Sequence, residues 1–328
     1  MRAWRVNELG HPSVSLRLED VADPVPGPGQ IAIRVEAGNI NFADILLCQG
    51  IYQDRPGVPF TPGLETCGIV EAVGPDVDVP IGVRIAGMSA LPRGGYAEKA
   101  LIRAHTALEM PIDIPASDAT VLYSTYQTSH VGIHHRGQVR PGEWLLVHAA
   151  AGGVGSAAVQ LGVAAGARVI ATAGSPAKLE FCRNLGAHHA VDYNDPDELY
   201  RQVMAITGGH GVDVAFDPVG GAAGDVTRRL MAWEGRLVVI GFAAGGIPSY
   251  PGNHVLVKNY SVVGLHWGAY VEHGGRAVIE SAHAHLIGLY RCGAIRPDVG
   301  DPVRLEDLPA ALDRLERREV TGRLVLVP

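Results

Sequence analysis

The pattern of apolar and polar residues changes character near residue 122 and again near residue 264. Up to about Leu122, short β-branched runs such as residues 31–35 and 67–73 are separated by proline and glycine turns. This pattern is typical of a mostly antiparallel β domain. From about Tyr123 to Gly264, strands alternate with helical stretches, which predicts a parallel sheet with helices on both faces.

The elements predicted for the middle part are the strands Trp144–Val147, 168–172, His189–Asp192, 212–216 and 236–241, and the helices 154–165, 176–185 and 221–231. After Gly264 we expect helix, including Leu308–Glu316, and a final strand at 323–327 that rejoins the first domain. The sequence therefore predicts an α/β fold in which a β-rich domain (1–122 with 265–328) is interrupted by a doubly wound, dinucleotide-binding domain (123–264).

Composition and charge narrow the class of protein. The chain has 328 residues and a formal net charge of −7, which argues against a nucleic-acid binder held by phosphate contacts. No apolar run reaches membrane-spanning length, and residues 1–6 lack the apolar core of a signal peptide. The four cysteines are scattered without a Cys-x-x-Cys pair, which indicates reduced thiols. We therefore expect a cytoplasmic protein without nucleic-acid or membrane partners.

A glycine loop follows the first strand predicted for the middle domain. Ala150, Gly152 and Gly155 match the dinucleotide fingerprint G-x-G-x-x-G, with alanine in the first glycine's place. The middle glycine of that fingerprint lets the backbone approach a pyrophosphate, and amides at the helix start, here Gly153 and Val154, hold its charge. The pattern also fits an ordinary βα turn, but its place between a strand and a helix favours a nicotinamide cofactor.

The end of the next strand indicates which nicotinamide cofactor binds. A site for NAD would place Asp or Glu about 20 residues further on, to bind the ribose hydroxyls. Residues 171–178 read ATAGSPAK, without an acid. Gly174 and Ser175 leave room for a 2′-phosphate, and Lys178 adds a positive charge in the first helical turn. We therefore predict NADPH, the alternative being a Lys178 that is only solvated on its helix.

Several longer runs carry a family likeness: VHAAAGGVGSAAVQLGVAAGARVIATAGSPAKLEFCRNLGA, GNINFADILLCQGIY, FDPVGG, GRLVVIGFAAGGIP and NYSVVGLHWGAY. In them the chain resembles the zeta-crystallin-like NADPH:quinone reductases, within the medium-chain dehydrogenase/reductase superfamily. The resemblance covers nearly the whole chain. It implies a GroES-like catalytic domain beside a Rossmann-type domain, and a homodimer.

Zinc alcohol dehydrogenases of that superfamily hold a catalytic metal with a Cys ahead of an Asp and with the His of a Gly-His-Glu. Asn41 and Leu64 stand at these positions here, and neither residue type is a zinc ligand. The lobe of clustered cysteines that would hold a structural zinc is also absent. The histidine pairs 134/135, 188/189 and 283/285 are interpreted as surface or turn residues, because none of them has helical i,i+4 spacing. We therefore expect no metal.

The absence of zinc ligands indicates which kind of hydride acceptor to expect. Without a Lewis acid, hydride removal from an unactivated alcohol loses its main aid, so a quinone or an α,β-unsaturated carbonyl fits better. The resemblance implies that Asn41, Tyr52 and Thr128 surround the nicotinamide and the acceptor. Asn41 could donate a hydrogen bond to the acceptor oxygen or to the cofactor ribose, or be a turn residue, and Tyr52 could instead be a packing residue. Leu46 stands where some relatives have a second tyrosine, which leaves the proton donor unassigned.

The resemblance also implies cofactor contacts at Tyr193, Val219, Gly241, Phe242, Ala243, Leu265, His266 and Trp267. Arg323 is a second candidate cation for the 2′-phosphate, or otherwise a surface arginine. Two other functions stay open at this point. One is an enoyl-thioester reductase, and the other is a non-enzymatic RNA-binding or crystallin-like structural protein.

Overall fold

The computed structural model describes all residues from Met1 to Pro328. Its strands are β1 (Arg2–Val6), β2 (Leu16–Asp20), β3 (Gln30–Asn39), β4 (Glu65–Val73), β5 (Arg84–Met88), β6 (Lys99–Arg103), β7 (Leu108–Glu109), β8 (Trp144–Val147), β9 (Arg168–Ala173), β10 (His189–Asp192), β11 (Val212–Asp217), β12 (Met231–Val239), β13 (Ser261–Gly264), β14 (Val303–Arg304) and β15 (Val325–Val327).

Its α-helices are α1 (Pro12–Ser15), α2 (Phe42–Cys48), α3 (Ala116–Val121), α4 (Gln127–His130), α5 (Gly153–Ala164), α6 (Pro176–Asn184), α7 (Pro196–Ile206), α8 (Gly221–Leu230), α9 (Gly252–Lys258), α10 (Arg276–Arg291) and α11 (Leu308–Glu316). Two π-helical segments, Leu122–Tyr126 and Val131–Arg136, lie on either side of α4.

The chain forms two compact units, Met1–Ser124 with Pro297–Pro328 and Thr125–Arg296. The first unit contains a seven-stranded sheet in the order β14-β15-β3-β4-β5-β7, with β6 paired to β3, and a separate β1-β2 pair. All of these pairs are antiparallel except β14 with β15. This agrees with the β-rich domain predicted from the short β-branched runs. Strand β15 also returns the end of the chain to this sheet, as predicted.

The second unit contains a six-stranded parallel sheet in the order β10-β9-β8-β11-β12-β13. The order runs outward from β8 in one direction and from β11 in the other, so the topological switch point lies between these two strands. In sheets of this kind, ligands bind at the carboxyl ends of the strands at the switch point. The fold therefore places the glycine loop, which follows β8, at the expected ligand position.

The second domain boundary differs from the sequence-based prediction. We expected the dinucleotide-binding domain to end at Gly264, but the second unit continues to Arg296. Helix α10 packs against α4 and the π-helical segment that follows α4, and its residues Ile279, Ala282 and Leu286 are buried. The pattern of residues 265–296 shows a helix but not the surface that this helix covers.

No helix of the structure has both the length and the apolar character needed to cross a bilayer. All four cysteines are free, and Cys48, Cys67 and Cys182 are buried whereas Cys292 is exposed.

Candidate active site

The glycine loop leads from β8 into α5. Ala149 adopts a left-handed backbone with φ 47°, so the tight turn falls on Ala149 and does not require glycine at position 150. A Cβ atom at Gly155 would lie 2.2 Å from the carbonyl oxygen of Ala149, which no side chain can tolerate. Gly155 is therefore required for the close packing of α5 on the end of β8.

Gly152 differs from Gly155 in what surrounds it. A Cβ atom at Gly152 would contact only the Ala149 carbonyl oxygen, at 3.3 Å, so the fold itself needs only a small adjustment to accept a side chain there. Gly152 is the N-cap of α5 and has no side chain to satisfy the first helical amides. Bare backbone and unsatisfied amides are what an incoming pyrophosphate needs, so the loop fits a dinucleotide.

The end of β9 and the end of β10 meet at Gly174. A Cβ atom at Gly174 would lie 2.8 Å from Tyr193 Oη, so the tyrosine ring packs directly on this glycine. Ser175 is the N-cap of α6 and its Oγ accepts a long hydrogen bond of 3.4 Å from the amide of Lys178, with Pro176 as the first helical residue. The structure thus brings together four residues that the sequence analysis assigned to the adenosine end: Gly174, Ser175, Lys178 and Tyr193.

The loops after β11 and β12 also meet. The amide of Ala243 donates to Pro218 O at 3.1 Å, and a Cβ atom at Gly220 would lie 2.8 Å from Phe242. The buried carboxylate of Asp217 accepts from the amides of Val219 and Gly220 through Oδ1. These contacts fix Val219 and the Gly241–Ala243 turn beside one another at the carboxyl edge of the sheet.

Leu265, His266 and Trp267 follow the outermost strand, β13. The amide of Leu265 donates to Val239 O at 3.0 Å, and the Leu265 side chain is buried whereas His266 is exposed. Every cofactor residue predicted in the second unit therefore lies directly after a parallel strand or in the first turns of the following helix.

In the first unit, five polar residues form what we call the Asn41 cluster: Asn41, Asp44, Glu65, Tyr96 and Arg323. Asn41 Nδ2 donates to Glu65 Oε2 at 2.6 Å, and Asn41 Oδ1 accepts from the Arg323 guanidinium. These two contacts fix the orientation of the amide, because the carboxylate can only accept and the guanidinium can only donate. The second Nδ2 hydrogen is the part of the amide that these contacts leave for another acceptor.

Asp44 is fully buried at the start of α2 and accepts hydrogen bonds from four donors. Oδ1 accepts from the amides of Gly63 and Leu64 at 3.1 and 3.0 Å, and Oδ2 accepts from the Asn41 amide at 3.1 Å and Tyr96 Oη at 2.8 Å. Burial and, to a smaller extent, the nearby Glu65 carboxylate raise the pKa of Asp44 to about 7, against the opposing effect of the hydrogen bonds from Tyr96 and from the amides of Asn41 and Leu64. Asp44 thus joins α2 to the start of β4.

The pKa of Glu65 is also raised above its ordinary value. Burial raises its pKa, and the Arg323 guanidinium and the Asn41 amide oppose that shift by favouring the carboxylate. Arg323 was predicted as a cation for the 2′-phosphate, but its guanidinium contacts Asn41 in the first unit. This contact gives Arg323 a different partner from the one expected and weighs against the cofactor assignment, which rested on charge alone.

The catalytic zinc position does not fit a metal. Leu64 is buried in the main apolar core of the first unit together with Ile45, Leu47 and Phe60. Asn41, at the position of the thiolate ligand, is already bonded to a carboxylate and a guanidinium. A guanidinium cation beside this position would repel a divalent cation. The donor set, an amide with one carboxylate, also falls short of the three strong ligands that zinc prefers.

Tyr52 and Thr128 lie in different units. Tyr52 is half-buried and packs against the core that contains Leu47 and Leu64, and burial raises its pKa to about 12, with Glu65 and Asp44 adding to the shift. Thr128 is half-buried in α4. Its neighbour Ser129 donates to Val154 O at 2.8 Å, which ties α4 to the start of α5. The catalytic roles of Tyr52 and Thr128 stay predictions.

The interpretation of the histidines was wrong in one respect. It considered only near neighbours in the sequence and overlooked His130, which lies four residues before His134. The structure brings these two residues together with His285, and one ring nitrogen from each lies within 4.8 Å of the others. Burial lowers the pKa of His130 to about 3 and also lowers the pKa of His134, so both imidazoles are neutral near pH 7.

Glu65 and Tyr96 were not predicted as members of a site. Glu65 is the last residue of Gly-Leu-Glu, so its position was visible, but its bond to Asn41 joins residues 24 positions apart. Tyr96 lies in a glycine-rich turn and has no sequence signal of its own.

Known protein families match the two parts of the chain separately. A family described as alcohol dehydrogenase GroES-like domain matches residues 27–112, and one described as zinc-binding dehydrogenase matches residues 153–283. The chain is 37% identical to quinone oxidoreductase-like protein 2 of Mus musculus over 327 residues, which cover 99% of this chain and 91% of that protein.

Solved structures extend the similarity to the whole fold. A mycobacterial protein complexed with NADPH superposes with a TM-score of 0.91 at 30% identity, over 100% of both chains. The Escherichia coli quinone oxidoreductase complexed with NADPH superposes with a TM-score of 0.90 at 28% identity, again over 100% of both chains.

Proposed function

We propose a function on the premise that this chain belongs to the quinone oxidoreductase-like proteins of the medium-chain dehydrogenase/reductase superfamily. It is an NADPH-dependent oxidoreductase that transfers a hydride to a quinone or a similar α,β-unsaturated carbonyl. NADPH supplies the hydride when bound. The chain supplies the binding loop, the orientation of the acceptor and a hydrogen-bond donor for the charge that develops on the acceptor oxygen.

The observation that carries this proposal is the geometry around Gly152. The fold tolerates a side chain there with little adjustment, since the nearest atom to a Cβ would be 3.3 Å away, yet the sequence has glycine. A glycine that the fold itself does not require indicates that a ligand approaches the backbone closely at that position. The structures of two relatives that contain NADPH support the choice of ligand.

The preference for NADPH over NADH rests on the start of α6. No carboxylate follows β9, so a 2′-phosphate meets no like charge at Gly174 and Ser175. The amides of the first turn of α6 and the Lys178 ammonium favour a dianion. Each charge-assisted hydrogen bond contributes about 1.5–3 kcal/mol, so a single one favours NADPH by roughly tenfold or more.

Asn41 is the proposed donor to the acceptor. Glu65 and Arg323 hold its amide in one orientation, so its donor hydrogen is aimed before the acceptor arrives, which is how preorganised donors lower a barrier. Glu65 and Arg323 are then positioning residues. The product takes one further proton, and solvent water is the proposed source, since the chain has Leu46 where some relatives carry a second tyrosine.

One matching family is described as zinc-binding dehydrogenase, but the reaction proposed here does not use zinc. The residues at the catalytic zinc position are an amide already bonded to charged partners and a core leucine, as described above. We therefore expect a chelator such as EDTA to leave the steady-state rate unchanged. Loss of activity on chelation, restored by Zn²⁺, would contradict the proposed chemistry.

The assembly and location of the protein are also proposals. We propose a cytoplasmic homodimer, from the family resemblance. The acidic net charge of −7 supports a protein without a nucleic-acid partner.

The proposed function is tested by cofactor titration followed by an acceptor screen. NADPH should bind more tightly than NADH, and NADPH oxidation should be faster with benzoquinone and cyclohexenone than with crotonyl-CoA. A strong preference for crotonyl-CoA would instead indicate the enoyl-thioester reductase. Absence of NADPH binding together with salt-sensitive RNA binding would indicate the non-enzymatic alternative.

A further inference from the structure

Three histidines of the second unit, His130, His134 and His285, form what we call the histidine cluster. His130 is the last residue of α4, His134 lies four residues further in the π-helical segment Val131–Arg136, and His285 is on α10. The ring centroid of His130 lies 4.4 Å from that of His134 and 5.0 Å from that of His285. His130 Nε2 is 2.8 Å from His285 Nδ1. Two segments far apart in sequence, residues 130–134 and helix α10, therefore bring three imidazole rings close together.

Hydrogen bonding within the protein leaves part of this cluster unsatisfied. His130 Nδ1 and His134 Nε2 are buried and have no hydrogen-bond partner. A buried ring nitrogen without a partner costs free energy, so such nitrogens normally have an explanation. Two such nitrogens in one group of three imidazoles indicate a ligand that accepts electron pairs.

We propose that His130, His134 and His285 bind one divalent transition-metal ion, and that Zn²⁺ is the ion these ligands suit best. Neutral imidazole nitrogen is a preferred ligand of Zn²⁺, and three such ligands leave a fourth position for water. His285 is exposed, so solvent reaches the site from its side. π-Helical turns are also frequent at functional sites.

The geometry requires only a small closing movement. In a tetrahedral site with Zn–N bonds of about 2.0–2.1 Å, ligand nitrogens lie ~3.3 Å apart, whereas the three here lie within 4.8 Å. The exposed His285 side chain can make this movement, because its rotation meets less packing than that of the buried His130. Once bound, the ion joins α10 to the α4 segment.

One other group could compete for a metal. His11, Asp313 and Glu316 of the first unit also lie within 4.8 Å of one another, but His11 Nε2 already pairs with Glu316 Oε2 at 2.7 Å. All three residues are partly or fully exposed. His11→Gln removes this group without touching the histidine cluster and serves as its test.

The experiment is a titration of chelator-dialysed protein with Co²⁺ and with Zn²⁺. Co²⁺ bound at a four-coordinate site gives visible absorption bands, and calorimetry gives the stoichiometry and affinity for Zn²⁺. We expect one ion per chain, and a rise in Tm of about 5 °C or more at a Zn²⁺ concentration ~100 times Kd. Activity with NADPH should be the same with and without Zn²⁺, so the outcome is independent of the proposed hydride transfer.

Matched variants locate the ion. His134→Gln and His285→Gln should each weaken Zn²⁺ binding by at least about 10 to 100-fold, since even outer-shell changes commonly cost that much. His135→Gln and His283→Gln, on the same two segments, should leave binding unchanged. Because His285 is exposed, His285→Gln should keep the metal-free Tm, so it decides the question even if His134→Gln fails to fold.

Three results would overturn the site. Wild-type protein that gives neither Co²⁺ bands nor saturable Zn²⁺ binding has no such site. Unchanged affinity in both His134→Gln and His285→Gln places any bound ion elsewhere. Loss of binding confined to His11→Gln assigns the ion to the first unit.

Discussion

The glycine loop presents backbone amides and bare α-carbons to its ligand, whereas the Asn41 cluster presents side chains. The loop is made by residues 149–155, which are contiguous, and its geometry follows from where glycine stands. The Asn41 cluster joins α2, β4, the turn at Tyr96 and Arg323, which lies two residues before the last strand. Arg323 therefore reaches Asn41 across 282 positions of sequence. A site built from backbone can be recognised in sequence, and one built from distant side chains cannot.

The two regions also respond differently to substitution. At the glycine loop the fold and the proposed ligand make separate demands, since packing requires Gly155 and the proposed cofactor contact requires Gly152. In the Asn41 cluster the same buried charges support both folding and the orientation of Asn41. Variants of the loop can therefore remove binding without unfolding, whereas variants of the cluster should change both stability and rate.

The largest effect should come from Gly152→Val. The added side chain meets only the Ala149 carbonyl, at 3.3 Å from Cβ, but it occupies the space proposed for the pyrophosphate. We expect NADPH affinity to fall by more than about 100-fold, the equivalent of ~2.7 kcal/mol, with an unchanged circular dichroism spectrum. Gly252→Val, at an open position with nothing within 4 Å, is the matched control. Undiminished NADPH affinity in Gly152→Val would mean that the loop does not hold the cofactor.

Asn41→Ala should have the next largest effect. Removal of one preorganised donor to a developing oxyanion commonly costs 100-fold or more in kcat, so we expect kcat to fall by roughly 100-fold while the KM for NADPH changes little. Asn7→Ala removes an exposed amide of the same unit that bonds only to Glu19 and should leave kcat unchanged. A rise in the KM for NADPH without a loss of kcat would place Asn41 on the cofactor instead.

Glu65→Gln distinguishes the positioning role from a direct one. Glutamine keeps an oxygen that accepts from Asn41 Nδ2 but leaves the Arg323 charge unpaired. We expect kcat to fall by about tenfold, less than in Asn41→Ala, because the donor stays but loses part of its preorganisation. Double-mutant analysis should then show that the Glu65→Gln effect disappears in the Asn41→Ala background. Additive effects would mean that Glu65 acts on the reaction without Asn41.

The sequence predicted most of the second unit because its signals are local. Strands β8 and β10 have the predicted bounds, as does helix α11 of the first unit. Helix α5 begins and ends one residue earlier than predicted, and α6 ends one residue earlier. Helix α7 was not predicted, although Asp195 caps it and Pro196 begins it, a recognisable start signal. The start signal of α7 is therefore present in the sequence.

The parts that were not predicted depend on contacts across the fold. The assignment of residues 265–296 to the second unit rests on packing of α10 against α4. The partner of Arg323 rests on the return of the chain end to β3, and the histidine cluster rests on the same packing of α10. In each case a residue type was visible, but the identity of its neighbour required the fold.

A smaller effect is expected at the adenosine end of the loop site. Lys178→Ala should raise the KM for NADPH by about 10-fold or more, the value of one charge-assisted bond, and leave the KM for NADH unchanged. Arg183→Ala, on the same helix and paired with Glu180, should change neither. An equal loss for both cofactors would remove Lys178 from the 2′-phosphate site.

The last effect is on stability and not on binding or rate: it is a pH dependence at Asp44, which sharpens the contrast between the two regions because the glycine loop contains no titratable group. The folded-state pKa of Asp44 is raised to about 7 from its ordinary value of 3.8, so between these values the folded protein binds more protons than the unfolded chain. Its contribution to stability is therefore greatest at low pH and is lost as pH rises towards 7, by at most ~1.4 kcal/mol per pH unit. Asp44→Asn should remove this dependence, because the amide resembles the protonated carboxyl and does not titrate. The free energy of unfolding of wild type minus that of Asp44→Asn, measured by urea unfolding, should therefore fall as pH rises from about 4 to about 7. Asp20→Asn, an exposed acid of the same unit, should show no such trend, and a difference that grows with pH would mean that the four donors outweigh burial and hold Asp44 ionised.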